Sequence, residues 1–359
     1  MIIPQIQFSA DASPDSIVEL IQHWSLFGQV ALVDVPSASA DALESIVKRV
    51  GGSVDLLIGL SDPTEESGLA LLNAGATSLL GDASAECFTA IPPERIATVS
   101  ADVANDEAIP VGALLRLADP TSDRIAELEM ARFDSLVAIE KLEPELIADF
   151  FQAVLVTDRP DGLWSTMIVD PIGIALGLAY SNYESLLHAL ETRCGTYWSR
   201  SRDGLWIKGE TSGATQQLLG IRMDCDRDCL RFTVTQDPPG FCHRDTHTCF
   251  GSERTIQSVM QRLSERIHES DEKSFTRKLA NNPEMLESKL LEEAKELSVA
   301  SQADDLNEIA WEAADVLYFA LVAMLKNGVS LDRVYHELAR RMNRVVRRPP
   351  GLKNDPETT

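Results

Sequence analysis

One stretch, residues 223–250, constrains the fold and chemistry of this chain more than any other. It opens with aspartates at every second position, Asp224, Asp226 and Asp228, and continues into the alternating run Leu-Arg-Phe-Thr-Val, which is typical of a strand. On an extended strand these three carboxylates share one face and Cys225 points to the other. Three carboxylates on one edge repel each other strongly unless a hard cation such as Mg²⁺ neutralises them. The spacing therefore predicts a magnesium site, and a solvated acidic edge is the alternative.

The same stretch holds three cysteines suited to a softer metal. Cys225 is followed, beyond the turn sequence Asp-Pro-Pro-Gly, by Cys242 with its neighbour His243 and then by Cys249. Thiolates are typical zinc ligands, and three protein ligands that leave a fourth position open are the pattern of a catalytic zinc site. The alternative is that these cysteines fill the core or form a disulfide. Cys229 has no such context, and we expect an ordinary buried thiol there.

Length and charge exclude several classes of protein. With 359 residues the chain is long enough for two or three domains, and its six cysteines are too few for a disulfide scaffold. It lacks an apolar run of the roughly 18 residues that a membrane span needs, and its start is not that of a signal peptide, so we expect a soluble, cytoplasmic protein with no membrane partner. The net charge of −24 argues against a nucleic-acid surface. Residues 1–150 hold 25 acidic and 7 basic residues, so anion-binding chemistry is expected elsewhere.

Strand and helix patterns alternate along residues 1–140. The short apolar, β-rich runs are 30–34 and 54–59, and the segments with helical spacing are 41–50 and 65–73. This alternation predicts a mainly parallel sheet. Residues 71–78 faintly resemble a βα unit of a phosphate-binding barrel, but this part of the sequence has no Gly-rich phosphate loop, metal cluster or catalytic triad. We expect it to have a structural or assembly role.

Residues 196–215 gather groups that suit a phosphorylated substrate. Asp203-Gly204 between two alternating runs predicts a β-hairpin, with an aromatic ring and two arginines on one face of its first strand and a lysine on its second. A Gly/Ser/Thr loop then opens a helix predicted at 214–219, and such a helix start suits phosphate, as arginine forks do. An arginine on a strand is usually solvated, so the prediction depends on the whole group. The candidate substrate-binding residues are Trp198, Ser199, Arg200, Ser201, Arg202, Lys208, Glu210, Thr211 and Ser212.

Residues 252–345 change to helical spacing. The helix predicted at 309–325 is apolar nearly all round, and its only charges, Glu312 and Asp315, meet on one face. Bare buried carboxylates cost on the order of several kcal/mol, so these two need a cation. The helix predicted at 283–302 presents three more acids on one face, for which a solvated surface is the alternative. Docked together, the two helices would form a magnesium cage from Glu292, Glu293, Glu296, Glu312 and Asp315.

Four motifs of the middle region resemble the phosphoribosyl-AMP cyclohydrolase family of histidine biosynthesis. They are Tyr-Trp-Ser-Arg-Ser-Arg, Leu-Trp-Ile-Lys-Gly-Glu-Thr-Ser-Gly, Asp-Cys-Asp-Arg-Asp, and Phe-Cys-His followed by Thr-Cys-Phe. The resemblance implies that Cys225, Cys242 and Cys249 bind Zn²⁺, with one cysteine donated across a dimer interface, and that the three aspartates bind Mg²⁺. It implies hydrolytic opening of an adenine ring by a zinc-activated water. His243 is then the candidate proton shuttle, and Lys208 is a second catalytic candidate.

The helical region resembles the phosphoribosyl-ATP pyrophosphohydrolase family. The resemblance rests on Glu-Ala-Ala-Asp at 312–315, Gly-Val-Ser-Leu at 328–331, Ser-Phe-Thr-Arg-Lys-Leu at 274–279 and the basic pair Arg340-Arg341. It implies an all-α domain that cleaves a triphosphate between its α- and β-phosphates with carboxylate-held Mg²⁺, and Glu293 and Glu312 are the catalytic candidates. The order of the two regions, behind an extra α/β domain, resembles the N-terminal portion of fungal trifunctional histidine-biosynthesis proteins.

Together these patterns predict a multidomain α+β protein. We expect an N-terminal α/β domain (1–145), a central mostly-β cyclohydrolase domain (146–252), a C-terminal all-α pyrophosphohydrolase-like domain (253–349) and a flexible tail (350–359). The resemblances imply phosphoribosyl-ATP and phosphoribosyl-AMP as substrates, and a homodimer, because both families build active sites across subunit contacts. The alternative is a structural zinc domain fused to a helical dimerisation module, with no catalytic turnover.

Overall fold

Short parallel strands begin the molecule. The structure is a computed structural model that describes residues 1–82, 84–101, 112–251, 255–268, 273–303 and 305–345. The strands of the first sheet are β1 (Ile2–Gln7), β2 (Gln29–Val35), β3 (Asp55–Leu60), β4 (Ser78–Leu80), β5 (Ile96–Ala97), β6 (Val99–Ala101), β7 (Leu114–Leu117) and β8 (Ser135–Ala138). They lie in the order β5-β4-β3-β2-β1-β8-β7-β6, and every neighbouring pair is parallel.

This sheet curls almost into a closed barrel. Only Thr98 separates β5 from β6, although these two strands stand at opposite ends of the sheet. The backbone N–H of Gly81 donates to Ala97 O at 3.0 Å, and that of Leu114 donates to Thr98 O at 2.8 Å, so one short segment bonds to both ends. Inward-facing apolar side chains fill the interior, as in other small barrels. They are Ile3, Ala31, Val33, Leu57, Leu80, Leu114 and Leu136.

Helices cover the outside of the near-barrel. They are α1 (Pro14–Trp24), α2 (Ala40–Val50), α3 (Glu65–Ala74), α4 (Ser122–Met130) and α5 (Pro144–Val154). Hydroxyl side chains cap three of them, because the first N–H groups of a helix have no partner within it. Ser13 caps α1, Thr121 caps α4, and Thr64 forms a reciprocal capping box with Ser67 at the start of α3.

The central region consists of small sheets. Its elements are β9 (Trp164–Val169), β10 (Ala175–Ser181), α6 (Tyr183–Thr192), β11 (Thr196–Ser199), β12 (Gly204–Ile207), β13 (Gln216–Met223) and β14 (Cys229–Gln236). Four strands form one sheet in the order β10-β9-β14-β13, and β11 and β12 form a second, two-stranded sheet. The predicted Asp203-Gly204 hairpin is confirmed, since Ser199 lies opposite Gly204 in an antiparallel pair.

The predicted fold class is wrong in its layout. One hydrophobic cluster contains Ile2 of the near-barrel together with Ile168 and Phe232 of the four-stranded sheet, and the fully buried Phe150 and Phe151 of α5 lie in the same cluster. The small central sheets therefore share a core with the near-barrel and do not form a separate mostly-β body. The chain divides instead into two compact units, residues 1–249 with 335–359 and residues 250–334.

Two local predictions in the central region are also wrong. Residues from Gln216 onward, expected to be helical, form β13 and pair along their length with β14. A continuous ladder satisfies more backbone groups than an isolated helix of six residues could. The aspartates at 224–228 lie in the turn between β13 and β14, where Arg227 has a φ of 66°, and not on a strand. The aspartates therefore do not share one face of a strand. Arg200 and Arg202 do not either, because they lie in the hairpin loop.

The second unit is helical. It contains α7 (Ile256–His268), α8 (Phe275–Asn281), α9 (Pro283–Ala303), α10 (Leu306–Lys326) and the start of α11 (Leu331–Met342). The long helices α9 and α10 pack along each other, and α10 also contacts α7 and α8. Asp305 caps α10, because its carboxylate accepts the backbone N–H groups of Asn307 and Glu308 at 3.0 and 3.2 Å. Within the described residues, no helix has the length and apolar character required to cross a membrane.

The end of α11, from residue 335, belongs to the first unit and packs against the turn that follows α3. Buried Arg340 donates through Nη1 to Ala74 O at 2.8 Å, and through Nε and Nη2 to the Glu337 carboxylate at 2.7 and 2.8 Å. Asn343 Nδ2 donates to Gly75 O at 3.3 Å. The helix ends at Met342, and the predicted tail at 350–359 lies outside the described residues.

Candidate active sites

Three aspartates converge in the turn between β13 and β14. Asp224, Asp226 and Asp228 each offer a carboxylate oxygen, and these oxygens lie within 4.8 Å of one another. Asp224 organises the turn, since its Oδ1 accepts the backbone N–H groups of Asp228 at 3.0 Å and Cys229 at 3.1 Å. The hydrogen bond between the Asp228 and Asp224 side chains, and the charges of Asp226 and Asp224, raise the pKa of Asp228. Carboxylates held this closely form a set of oxygens that suits a hard divalent cation.

Two of the three candidate zinc ligands come together in the loop after β14. The thiols of Cys242 and Cys249 are close enough for each to shift the pKa of the other. Hydrogen bonding with the Arg244 backbone and the Thr246 side chain lowers the pKa of Cys242, whereas burial raises the pKa of Cys249. Cys225 is exposed in the aspartate turn, and no three-member group of metal-ligating side chains in the described ranges joins it to the other two cysteines.

A buried aspartate anchors the loop that carries these cysteines. Asp170, at the end of β9 and only 5% exposed, accepts the backbone N–H groups of Ile172 and Ile174, and its Oδ2 lies 3.4 Å from His247 Nε2. The carbonyl of His247 in turn accepts the N–H of Phe241 at 3.1 Å. Asp170 was not predicted as a site residue, because 77 residues separate it from its histidine partner. Its only signal was an aspartate at the end of a predicted strand.

The candidate proton shuttle lies beside the first cysteine of the loop. His243 is exposed, and its Nδ1 lies 3.9 Å from Cys242 Sγ. Lys208 is buried at 7% exposure, where its Nζ donates to Ala214 O at 3.1 Å and lies 5.6 Å from the centre of the Phe241 ring. Burial lowers the pKa of Lys208, and the nearby Cys249 opposes that shift. The lysine and the two loop cysteines therefore belong to one local site.

The predicted anion loop is a tight turn that leads into β13. Gly209 has a φ of +87°, and a Cβ there would lie 2.4 Å from the backbone nitrogen of Thr215, so the turn requires glycine. Glu210, Thr211 and Ser212 project from this turn and are exposed. No helix begins at this turn, so the predicted binding of phosphate by a helix N-terminus is wrong here.

A cavity of about 460 Å³ lies beside the hairpin loop. Four of the predicted substrate-binding residues line it: Trp198, Ser199, Arg200 and Ser201. Arg202 does not line it, and its Nε donates to Ser199 Oγ at 3.2 Å. The sequence analysis missed Leu178, Tyr180 and Trp206 in the lining. Leu178 and Tyr180 come from β10, and nothing in the sequence specifies that β10 lies beside the β11–β12 hairpin.

The helical unit brings three glutamates together. Carboxylate oxygens of Glu293 and Glu296 on α9 and of Glu312 on α10 lie within 4.8 Å of one another. Glu312 is only 7% exposed, and its Oε2 is buried without a hydrogen-bond partner in the described part of the chain. Burial raises the pKa of Glu312, and the charges of Glu296 and Glu293 raise it further. An unpartnered carboxylate oxygen beside two other carboxylates fits a divalent cation.

The two remaining acids of the predicted cage lie at its margin. Glu292 forms an ion pair with Lys289 at 2.7 Å, and it is not one of the three converging glutamates. Asp315, one turn along α10 from Glu312, is close enough for its charge to raise the pKa of Glu312. The structure thus assembles three of the five predicted ligands into one group.

Two family models match separate parts of the chain. The model of phosphoribosyl-AMP cyclohydrolase matches residues 177–251, and that of phosphoribosyl-ATP pyrophosphohydrolase matches residues 256–342. The first range contains the aspartate turn and the cysteine loop, and the second contains the glutamate cluster.

Relatives with both regions are found in fungi and bacteria. The histidine biosynthesis trifunctional protein of Saccharomyces cerevisiae is 34% identical over 341 residues, which are 92% of this chain and 40% of that protein. That of Saccharomyces bayanus is 43% identical over 221 residues, 61% of this chain and 27% of that protein. The chain therefore spans less than half of these yeast relatives. The bifunctional protein HisIE of Bacillus subtilis is 37% identical over 197 residues, which are 52% of this chain and 94% of that protein. Because it covers nearly all of that bacterial protein, the chain belongs to the family of the histidine biosynthesis bifunctional protein HisIE.

Proposed function

We propose that this chain is a bifunctional hydrolase that performs two consecutive steps of histidine biosynthesis. The 256–342 region would hydrolyse phosphoribosyl-ATP to phosphoribosyl-AMP and pyrophosphate, and the 177–251 region would then open the adenine ring of phosphoribosyl-AMP. The observation that carries the proposal is that each region matched by one family model contains its own group of metal-ligating side chains. The runner-up, a structural zinc domain with a helical dimerisation module, does not account for an unpartnered, buried Glu312 oxygen.

In the helical region the acids would position the triphosphate and the attacking water. The buried Glu312 and its neighbours Glu293 and Glu296 repel one another, and a divalent cation between them would remove that repulsion. Mg²⁺, when bound, would neutralise the triphosphate and orient a water for attack. Glu293, at the partly exposed side of the group, would accept a proton from that water, while Asp315 and Glu292 would complete the outer part of the site.

In the cyclohydrolase region the loop after β14 would hold the reacting ring. Metal dependence is general in this family, and zinc and magnesium are our specific proposals for this chain. Cys242 and Cys249 are close enough to share a metal, and Zn²⁺, when bound, would supply an activated water for attack on the purine. His243, exposed beside Cys242, would carry the proton to or from the reacting ring. The aspartate turn would bind Mg²⁺, and Lys208 would place a positive charge near the site.

The third zinc ligand is proposed to come from a second copy of the chain. Cys225 lies in an exposed turn, apart from the Cys242–Cys249 pair. The helical unit supports a homodimer independently, because large apolar side chains of α10 are exposed in the single chain: Leu306 at 77%, Trp311 at 71% and Leu317 at 53%. Soluble monomers seldom leave such a surface uncovered. A cytoplasmic location remains our prediction.

The ultraviolet spectrum of phosphoribosyl-ATP tests the proposal most directly. Incubated with the full chain, Mg²⁺, Zn²⁺ and an added pyrophosphatase, the substrate should release phosphate and then change its absorption, because an opened ring absorbs differently from adenine. Phosphate release without a spectral change would leave only the helical activity. If neither signal appears with metal-loaded protein, the structural interpretation is favoured.

A further inference from the structure

Two guanidinium groups contact the ring of Tyr180 at the cavity beside the hairpin loop. The guanidinium carbon of Arg200 is 4.0 Å from the centre of the Tyr180 ring, and that of Arg159 is 4.3 Å from the same centre. Both guanidinium groups are therefore within cation–π range of one aromatic ring.

The two arginines differ in how their charge is compensated. Arg159 forms a bidentate pair with Asp161, at 2.9 Å from Nε and 2.6 Å from Nη2, and this hydrogen bonding raises the pKa of Arg159. Arg200 has no carboxylate partner among the residues that the structure describes, and its guanidinium stacks on the negative face of the ring. Asp161 thus neutralises Arg159, while the N–H groups of Arg200 stay available.

The contact with Tyr180 also restrains the Arg200 side chain. Arg200 belongs to an exposed hairpin loop, in which a long side chain would ordinarily sample many rotamers. Tyr180 belongs to β10, where it lies opposite Ser165 of β9 in a regular antiparallel ladder, so its ring has a rigid base. The Arg200 guanidinium lies over this ring, and Arg200 and Tyr180 both line the cavity.

We propose that Tyr180, supported by the Arg159–Asp161 pair, is a positioning residue that holds Arg200 ready to bind a phosphate group of the nucleotide substrate. The inference rests on the proposed cyclohydrolase function. It extends the substrate site to Tyr180 on β10 and to Arg159 and Asp161 in the segment before β9. Planar guanidinium groups suit phosphate, because they donate two parallel hydrogen bonds. Preorganising such a group lowers the entropy that binding would otherwise cost.

The test uses the full, metal-loaded chain and phosphoribosyl-AMP as substrate. Cation–π contacts are worth about 0.5–2 kcal/mol, so Tyr180→Leu should raise KM by roughly 3- to 30-fold with kcat within about twofold. Tyr180→Phe keeps the ring and should match the wild type. The double variant Tyr180→Leu with Arg200→Met should raise KM no more than Arg200→Met alone, because the two substitutions remove the same Tyr180–Arg200 contact. Arg231→Ala removes an exposed arginine of β14 and controls for general charge effects.

Two results would overturn the positioning role. In one, Tyr180→Leu leaves KM unchanged while the wild type opens the ring. In the other, Tyr180→Leu and Arg200→Met act additively, with a fall in kcat that Tyr180→Phe shares. Calorimetric binding of adenosine 5′-monophosphate to each folded variant provides a readout without turnover. A wild type that binds this probe tightly, with weaker binding in Tyr180→Leu but no ring opening in either, would support the inference and refute the proposed activity. If Tyr180→Leu binds the probe as the wild type does, the inference fails whatever the activity.

Discussion

Replacing Gly52 by alanine should detach the end of α11 from the near-barrel. Gly52 has a φ of +85°, and a Cβ there would lie 2.0 Å from His336 O and 2.8 Å from the backbone nitrogen of Arg340. Both obstacles are backbone atoms, which cannot rotate away as a side chain can. Gly173, with a φ of +88° and nothing within 4 Å of its would-be Cβ, offers a matched control. Gly173→Ala should cost only the conformational term, about 1–2 kcal/mol.

The excess cost at Gly52 follows from the contacts that detachment would break. These are the hydrogen bonds from Arg340 to Ala74 O, from Arg95 Nη1 to Asn343 O at 2.6 Å, and from Asn343 to Gly75 O. Charged donors contribute about 1.5–3 kcal/mol each and a neutral one about 1 kcal/mol. Because Arg95 and Asn343 are partly exposed and water replaces part of their hydrogen bonding, we take the lost free energy of docking as about 2–4 kcal/mol.

Amide hydrogen exchange measures this excess locally. At about 1.4 kcal/mol per factor of ten, residues 336–342 should exchange roughly 30- to 1,000-fold faster in Gly52→Ala than in Gly173→Ala. Exchange in β14, whose ladder partners are β9 and β13, should be equal in the two variants. Equal protection of residues 336–342 in both variants would refute the docking of α11 on the first unit.

Four further outcomes are expected. Cys242→Ser should lose bound zinc, measured by metal analysis, and ring opening, while pyrophosphate release persists; loss of both activities in a folded variant would contradict two separate sites. Glu312→Gln should abolish pyrophosphate release yet leave the opening of supplied phosphoribosyl-AMP near the wild-type rate, so unimpaired release would refute the glutamate site. Mixing inactive Cys225→Ser and Cys242→Ser chains should restore some ring opening if one zinc site uses cysteines of two chains, and no recovery after proven subunit exchange would exclude a shared site. Hydrogen bonds from Arg340 hold the pKa of Glu337 at about 2, below its ordinary 4.5; the resulting stabilisation is complete above pH 4.5 and is lost as the pH falls towards 2. The thermal midpoint of the wild type should therefore fall more steeply over that interval than that of Glu337→Gln, and parallel curves would contradict the ion pair.

The chemistry of both sites could be predicted from the sequence, because it depends on residue type and on neighbouring residues in the chain. Glu312 was expected to be buried, since it is the first of only two charges in an otherwise apolar helix, and it is 7% exposed in the structure. Asp224, Asp226 and Asp228 were expected to converge, and their oxygens do lie together. In the second case the geometry behind the prediction was wrong. A turn, and not the face of a strand, brings the acids together, because the Asp224 carboxylate accepts the backbone N–H groups of Asp228 and Cys229 and so closes the turn on itself.

Local patterns also predicted most of the strands and helices, because alternation and helical spacing report which face of an element is apolar. These patterns could not show which apolar faces pack against each other. The near-barrel closes because strands on either side of Thr98 bond to opposite ends of the sheet, and that closure depends on the summed twist of all its strands. The central sheets share a core with the near-barrel. Phe150 and Phe151 of the short helix α5 are both fully buried in one hydrophobic cluster that also contains residues of the near-barrel and of the central sheets. The contacts of Tyr180 with Arg159 and Arg200, and that of Asp170 with His247, were likewise decided only in the tertiary structure. Such pairs join residues that are distant in the chain, and packing alone brings them within reach.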